Sequence, residues 1–195
     1  MRNLQTMAML LALSLMPSYA QADALAQADA LSDQFEEAKS LLTSGQAAPA
    51  FEALDKVIDS FWQRSPMFVR RALFVEEING YGNFKVKNPV FKPDEAQMIY
   101  VEPVAFSYGK TKDGGSIASW SVDYSLVGPK GTTLFEKEDF VDLGVPLNRH
   151  NREIHLKMTI NLSGLKPGDY VSHYLLKDKN SDKTADFSLP FKVEE

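Results

Sequence analysis

The sequence predicts a mostly β protein in which a seven-stranded antiparallel β-sandwich follows an α-helical hairpin. Three observations predict this fold class. Apolar residues recur with the helical period as far as residue 63, and with a period of two after Pro66. Breaks rich in Gly and Pro separate the alternating stretches, as in sandwiches and barrels. The chain has no cysteine, so its fold must rest on a hydrophobic core without disulfides.

The first 20 residues have the three-part pattern of a secretory signal peptide. Arg2 supplies the basic start, the apolar run extends from Met7 to Met16, and small residues follow up to Ala20. A run of about 10 apolar residues is too short for a bilayer, which takes roughly 20. We therefore expect a periplasmic or secreted protein without a membrane span. Cleavage after Ala20 and cleavage after Ala24 both remain open.

The charge balance disfavours two classes of partner. The chain carries 21 Lys+Arg against 26 Asp+Glu, a formal net charge of −5. Nucleic acids and anionic lipids are bound through clustered Lys and Arg, and the sequence contains no such cluster. We expect neither partner.

Residues 21–66 are predicted to form an antiparallel helical hairpin. An apolar stripe from Ala24 to Leu42 recurs at spacings of three and four, and Gly45 is expected to end that helix. A second helix is expected over 49–63, with Pro66 just beyond its end. The sandwich is then expected to occupy residues 67–195.

The hairpin also resembles one unit of a tetratricopeptide repeat, with Gly45 at the turn and Pro66 closing the second helix. A single unit does not form the stacked groove that such repeats use to bind peptides. We therefore interpret the segment as a hairpin that packs on the following domain or on a partner. Phe51, Phe61 and Trp62 are the candidate partner-binding residues.

Alternation of apolar and polar residues predicts the strands. The clearest case is 117–127, which places Trp120 on an inward face. Residues 98–108 are apolar on both faces, which is typical of a strand covered on both sides. The seven expected strands are 72–78, 98–108, 117–127, 132–140, 153–162, 170–177 and 187–193.

A short motif relates the sandwich to known folds. Leu165-x-Pro167-x-x-Tyr170 resembles the tyrosine corner of fibronectin type III and other immunoglobulin-like domains, in which the Tyr hydroxyl bonds to backbone just upstream. Trp120 lies where such domains often place a core tryptophan. The resemblance implies an immunoglobulin-like sandwich and structural roles for these four residues.

The wider segment Phe74–Val193 resembles a family of uncharacterised exported bacterial proteins that carry such a C-terminal sandwich. That resemblance implies a fold and a compartment, and no activity. Ser172 stands where antibody domains have a disulfide cysteine, which excludes an antibody-type domain.

The sequence predicts no catalytic or metal site. Glu153 and His155 would share one face of a strand near His150, but the spacing supplies no third ligand. No Gly-x-Ser-x-Gly elbow or phosphate-binding loop is present. Adjacent acids such as Glu76 and Glu77 point to opposite faces of a strand. We expect no metal, no cofactor and no enzymatic activity, and a hydrolase is disfavoured.

Two functions remain after these exclusions. The first is a non-catalytic adaptor that engages a cell-envelope protein. The second is a glycan or small-ligand binding module in which Tyr81, Phe84 and Tyr108 form stacking platforms on loops. The same aromatics are alternatively residues that cap the open end of the sandwich.

Overall fold

The structure is a computed structural model that describes the backbone of residues 18–195 and the side chains from Ala30 onward. The predicted signal peptide falls mainly on residues 1–17, outside the described residues. Contacts divide the chain into one compact unit that ends at Ser60 and a second that spans Phe61–Glu195. The boundary therefore lies in the last turns of the second helix, slightly before the predicted boundary at Pro66.

The described elements are two helices followed by ten strands. The helices are α1 (Ser18–Thr43) and α2 (Ala47–Arg64). The strands are β1 (Phe68–Gly80), β2 (Asn83–Val86), β3 (Val90–Phe91), β4 (Gln97–Val104), β5 (Gly109–Lys110), β6 (Ser116–Val127), β7 (Thr133–Leu147), β8 (Leu156–Ile160), β9 (Gly168–Asp178) and β10 (Thr184–Val193). Neither helix has the length and apolarity that a membrane crossing requires in the described part.

The turn between the helices forms as the sequence predicts. Gly45 has φ +80°, a left-handed conformation that glycine adopts without strain. The backbone N–H of Gln46 then donates to Leu41 O at 2.9 Å, which satisfies a terminal carbonyl of α1. Pro49 lies in the first turn of α2, where its missing N–H breaks no helical hydrogen bond. Small buried side chains let the helices approach: Ala38, Ala50 and Ala53.

The strands form two sheets with a core between them. One sheet has the order β2-β1-β4-β8, and the other has the order β3-β10-β9-β6-β5 with β7 also paired to β6. The pairing of β3 with β10 is parallel, and the remaining pairings are antiparallel. Trp120 is fully buried in the core cluster, to which both sheets contribute. The fold is therefore mostly β after two helices.

The expected number of strands, seven, is corrected to ten within the described residues. Seven of the ten lie at the predicted ranges, although β7 continues past Phe140 to Leu147. The three additional strands, β2, β3 and β5, have only four, two and two residues. Such short strands are missed because they are too brief to show a period of two.

The strand β4 ends at Val104, earlier than the predicted Tyr108. Ala105 adopts φ +61°, which turns the chain out of the sheet. Side chains then bind the released backbone: Lys183 Nζ donates to Ala105 O at 2.8 Å, and Trp62 Nε1 donates to Phe106 O at 2.7 Å. Distant side chains thus end this strand, which its own apolar pattern does not reveal.

The hydrogen bond expected of the tyrosine corner is present. The Tyr170 hydroxyl donates to Lys166 O at 2.7 Å, and its ring stacks on Phe191 with 5.4 Å between centroids. A Cβ at Gly168 would lie 2.7 Å from Pro129 Cγ, so glycine permits the close approach of two loops here. Leu165 is half-buried against the core, whereas Pro167 is exposed.

We expect Tyr170→Phe to lower the free energy of unfolding by about 1 kcal/mol, because the ring packing is kept and one hydrogen bond is lost. Chemical denaturation measures the change. Tyr81→Phe is the control, since the Tyr81 hydroxyl is bonded only at an exposed site and should change stability by less than about 0.5 kcal/mol. Equal effects of the two substitutions would show that the corner bond contributes nothing specific.

Candidate functional site

An apolar groove lies between the two helices of the first unit. Its volume is about 170 Å³. The residues that line it are Phe35, Ala38, Lys39, Leu42, Ala50, Phe51 and Leu54. Three large side chains remain open to solvent: Phe35 is 50% exposed, Leu42 59% and Phe51 70%.

The groove exists because α1 carries more apolar surface than α2 covers. Leu31 and Leu41 are half-buried and Ala38 is buried, whereas Phe35 and Leu42 project beside that stripe. Helical residues seven apart share one face, so Phe35 and Leu42 extend the groove over two turns. Adjacent exposed apolar side chains on a soluble protein typically mark an interaction surface.

Acidic residues predominate in the segment that forms this groove. Residues 21–60 contain eight Asp+Glu and two Lys, whereas residues 61–195 contain 18 of each sign. The charged lining residue, Lys39, donates to the exposed Glu36 carboxylate at 3.1 Å. The hairpin therefore carries the whole acidic excess of the predicted mature chain, and the sandwich is formally neutral.

The three predicted partner-binding residues have different environments. Phe51 lines the groove, and Phe61, which belongs to the second unit, is 64% exposed. Trp62 is only 7% exposed, which leaves little of its side chain for a partner. Its indole donates to Phe106 O at 2.7 Å and packs edge-to-face on the Phe106 ring. Adjacent helical residues differ by about 100° around the axis, and the sequence does not say which of the two faces the core.

Lys183 binds the end of α2, and no local sequence pattern singles it out. Its ammonium donates to Gln63 O at 2.9 Å and Ala105 O at 2.8 Å, with Trp62 O at 3.4 Å. Two of these carbonyls end α2, where cations are favoured. Burial lowers the pKa of Lys183. The polar segment around Lys183 predicts only a turn. Its carbonyl partners lie far away in the sequence, so no local pattern predicts these hydrogen bonds.

Tyr81 and Phe84 lie at the β1–β2 hairpin and contact the protein itself. Phe84 packs on Tyr100 with 4.4 Å between ring centroids, and the Tyr81 hydroxyl accepts a hydrogen bond from Arg70 at 2.9 Å. Tyr100 is buried and stacks on His155. Burial raises the pKa of Tyr100 to about 12. The ring of Phe84 therefore helps to cover a buried tyrosine.

Tyr108 has a separate set of partners. Its ring lies parallel to His150 at 4.0 Å and edge-to-face with Phe106, and its hydroxyl donates to Asn151 O at 3.2 Å. Tyr108 and Phe84 share no ring partner, so the predicted stacking platforms have no common centre in these contacts.

The histidines are likewise dispersed. His150 and His155 stack on different tyrosines, and residues 30–195 contain no group of three His, Asp or Glu arranged for a metal ion. His173 Nδ1 lies 2.6 Å from Ser188 Oγ, but both residues are exposed on the outer face of paired strands β9 and β10. His173 also lines an open depression of about 430 Å³ that includes Glu136 and Asp186.

A charged bridge joins three strands on the outer face of the second sheet. Lys177 Nζ lies 2.6 Å from both Asp123 Oδ1 and Asp139 Oδ1, which links β9, β6 and β7. The hydrogen bond from Lys177 is the main cause that lowers the pKa of Asp139. Asp139 has φ +46° within β7, where the register with β6 shifts, so this bridge also holds an irregular stretch of that strand.

We expect this bridge to make stability acid-sensitive. The pKa of Asp139 is lower in the folded protein than in the unfolded chain, where an aspartate has a pKa of about 4. The bridge therefore stabilises the folded state fully above about pH 4, and this stabilisation is lost as the pH falls through the folded-state pKa. Lys177→Met should therefore lower Tm at pH 6, and its difference from the parent should shrink below about pH 3. Thermal unfolding across pH measures this, with Lys157→Met as an exposed control. A difference that stays constant with pH would contradict the bridge.

No protein-family model and no curated protein matches the sequence. Among solved structures, an alkylpurine DNA glycosylase AlkC of Pseudomonas fluorescens bound to DNA has a TM-score of 0.38 and 9% identity, and the match covers 71% of this chain and 33% of that one. A superoxide reductase (neelaredoxin) of Ignicoccus hospitalis has a TM-score of 0.33 and 13% identity, covering 65% and 82%. The chain thus spans about a third of the glycosylase. Similarities this low say nothing about the function of this chain.

Proposed function

We propose that the protein is an exported, non-catalytic adaptor that binds a cell-envelope protein through the groove of its helical hairpin. The observation that carries the proposal is the exposure of Phe35, Leu42 and Phe51 around one apolar groove. Leaving such side chains in water is unfavourable by about 25 cal/mol per Å² of apolar surface, and a bound partner would recover that energy. Export rests on the signal-peptide pattern of the first 20 residues.

An immunoglobulin-like sandwich as the rigid body is part of this proposal. Six of the seven longer strands support it: β1, β4 and β8 share one sheet, and β6, β9 and β10 share the other, as strands A, B, E and C, F, G do in that fold. The tyrosine-corner bond at Tyr170 and the fully buried Trp120 also support it.

The structure favours a protein partner in the groove over a ligand on Tyr81, Phe84 and Tyr108. Phe84 and Tyr108 already pack against other rings, and the Tyr81 hydroxyl is hydrogen-bonded. Phe51, in contrast, exposes most of its side chain. An aromatic side chain that is mostly in solvent can bury most of its apolar area when a partner binds, and this burial favours binding.

The glycan alternative is tested by Phe84→Ala. We expect a loss of about 1–3 kcal/mol in the free energy of unfolding, because the half-buried ring covers Tyr100. Denaturation and glycan-array binding are measured on the same protein, with Tyr81→Ala as a second variant. Unchanged stability together with lost glycan binding would instead assign these aromatics to a ligand site.

The adaptor function is tested by expressing the whole chain, signal-peptide segment included, with a C-terminal tag in its own cells and crosslinking it in the envelope. The groove variant is Leu42→Ser with Phe51→Ser, and the control is Leu134→Ser, an exposed leucine of the sandwich. We expect one protein near stoichiometry with the parent and the control, and its loss with the groove variant. Equal recovery with all three chains, or recovery of background proteins alone, would contradict the function.

A further inference from the structure

We propose that the groove binds an amphipathic α-helix of another protein whose apolar stripe is flanked by Lys and Arg. This inference rests on the proposed function and adds the chemistry of the partner. Two properties of the first unit carry it: the shape of the apolar groove and the charge of the helices that form it.

The shape of the groove fits a helix. Phe35 and Leu42 are two turns apart on α1, and Phe51 lies across the groove on α2. Seven helical residues span roughly 10 Å, so about three turns of a docked helix would cover these side chains. A third helix between two antiparallel ones is ordinary bundle packing, and its apolar residues at i, i+3, i+4 and i+7 would fill the spaces between them.

The charge of the hairpin selects a basic helix. Eight acidic residues against two lysines give residues 21–60 a strongly negative field, and Glu36 and Glu52 are exposed beside groove residues in sequence. Lys39 and Glu36 pair at 3.1 Å, so these two opposite charges offset each other and the negative excess comes from the other acidic residues. Flanking Lys and Arg would therefore be attracted over about 8 Å in physiological salt.

The same charge disfavours a second copy of this chain as the occupant. Two hairpins packed groove to groove would bring together two segments that each carry a formal net charge of −6, from eight acidic residues and two lysines. Like charges across an interface suppress association. The neutral sandwich, with 18 residues of each sign, offers no comparable attraction.

Two synthetic helical peptides of equal length test this inference, one with Leu and Lys and the other with Leu and Glu in the same pattern. Fluorescence anisotropy measures their binding to the chain from Gln21. We expect the Lys peptide to bind at least about tenfold more tightly than the Glu peptide. We expect a further loss of about tenfold with Glu36→Lys and Glu52→Lys combined, and near-complete loss with Leu42→Ser and Phe51→Ser combined.

The controls separate the groove from general attraction to an acidic protein. The groove variant keeps every charge, so undiminished binding of the Lys peptide to it would overturn the inference. Equal affinity for both peptides, or a groove-dependent dimer in sedimentation, would also overturn it. If neither peptide binds while the groove still crosslinks to an envelope protein, the basic-helix inference fails and the adaptor function stands.

Discussion

Trp62→Ala is expected to lower the free energy of unfolding of the second unit by about 3–5 kcal/mol. The substitution removes a buried aromatic side chain and its edge-to-face contact with Phe106. It also leaves Phe106 O without the indole donor that lies 2.7 Å away. Because Phe106 packs on Trp120 at 5.1 Å, the resulting cavity adjoins the centre of the core. Denaturation followed through Trp120 fluorescence measures this loss, since the chain has only two tryptophans.

The neighbouring Phe61 supplies the control for this prediction. Phe61→Ala removes an aromatic of similar size one residue earlier, but its side chain is mostly in solvent. We expect a change within about 0.5 kcal/mol. If both substitutions destabilised the protein equally, Trp62 would not be the anchor that fixes the end of α2 in the second unit.

Lys183→Met is expected to lower the free energy of unfolding by about 2 kcal/mol. The substitution keeps the aliphatic stem and removes the ammonium that donates to Gln63 O and Ala105 O. These carbonyls would then depend on water in a partly buried setting, where unmade hydrogen bonds are costly. The hydrogen bond to Ala105 O also helps to hold Ala105 at its unfavourable positive φ, and the substitution would remove that hydrogen bond.

Lys179→Met is the matched control for Lys183. Lys179 pairs with Asp142 at 2.9 Å on the surface, where ion pairs contribute less than about 1 kcal/mol. Thermal and chemical denaturation of both variants measure the contrast. A loss for Lys179→Met as large as that for Lys183→Met would show that the three-carbonyl contact has no special role.

Local patterns were sufficient to predict the main elements. Gly45 predicted the end of α1 because its φ of +80° is easy for glycine, and the alternation around Trp120 predicted the inward face of β6. The Tyr170 motif predicted a bond to backbone just upstream, and the Tyr170 hydroxyl donates to Lys166 O. In each case, the interacting groups lie within a few residues, so sequence spacing alone specifies the geometry.

Long-range contacts were beyond such patterns. The partners of Trp62 and Lys183 lie 44 and 78 residues away at Phe106 and Ala105, and nothing local indicates them. The groove was predicted only through Phe51, since the sequence does not show how much of α1 a single partner helix leaves uncovered. Phe35 and Leu42 belonged to the predicted apolar stripe, and their exposure became evident only with both helices in place.

The most direct test places a photocrosslinking amino acid at Phe51 and, in a second chain, at Leu134, and irradiates both in the living envelope. Both side chains are exposed, but only Phe51 lines the groove. We predict one discrete protein adduct from position 51, absent from position 134 and abolished by Leu42→Ser. Identical adducts from both positions, or none from position 51, would contradict a docking surface on the hairpin.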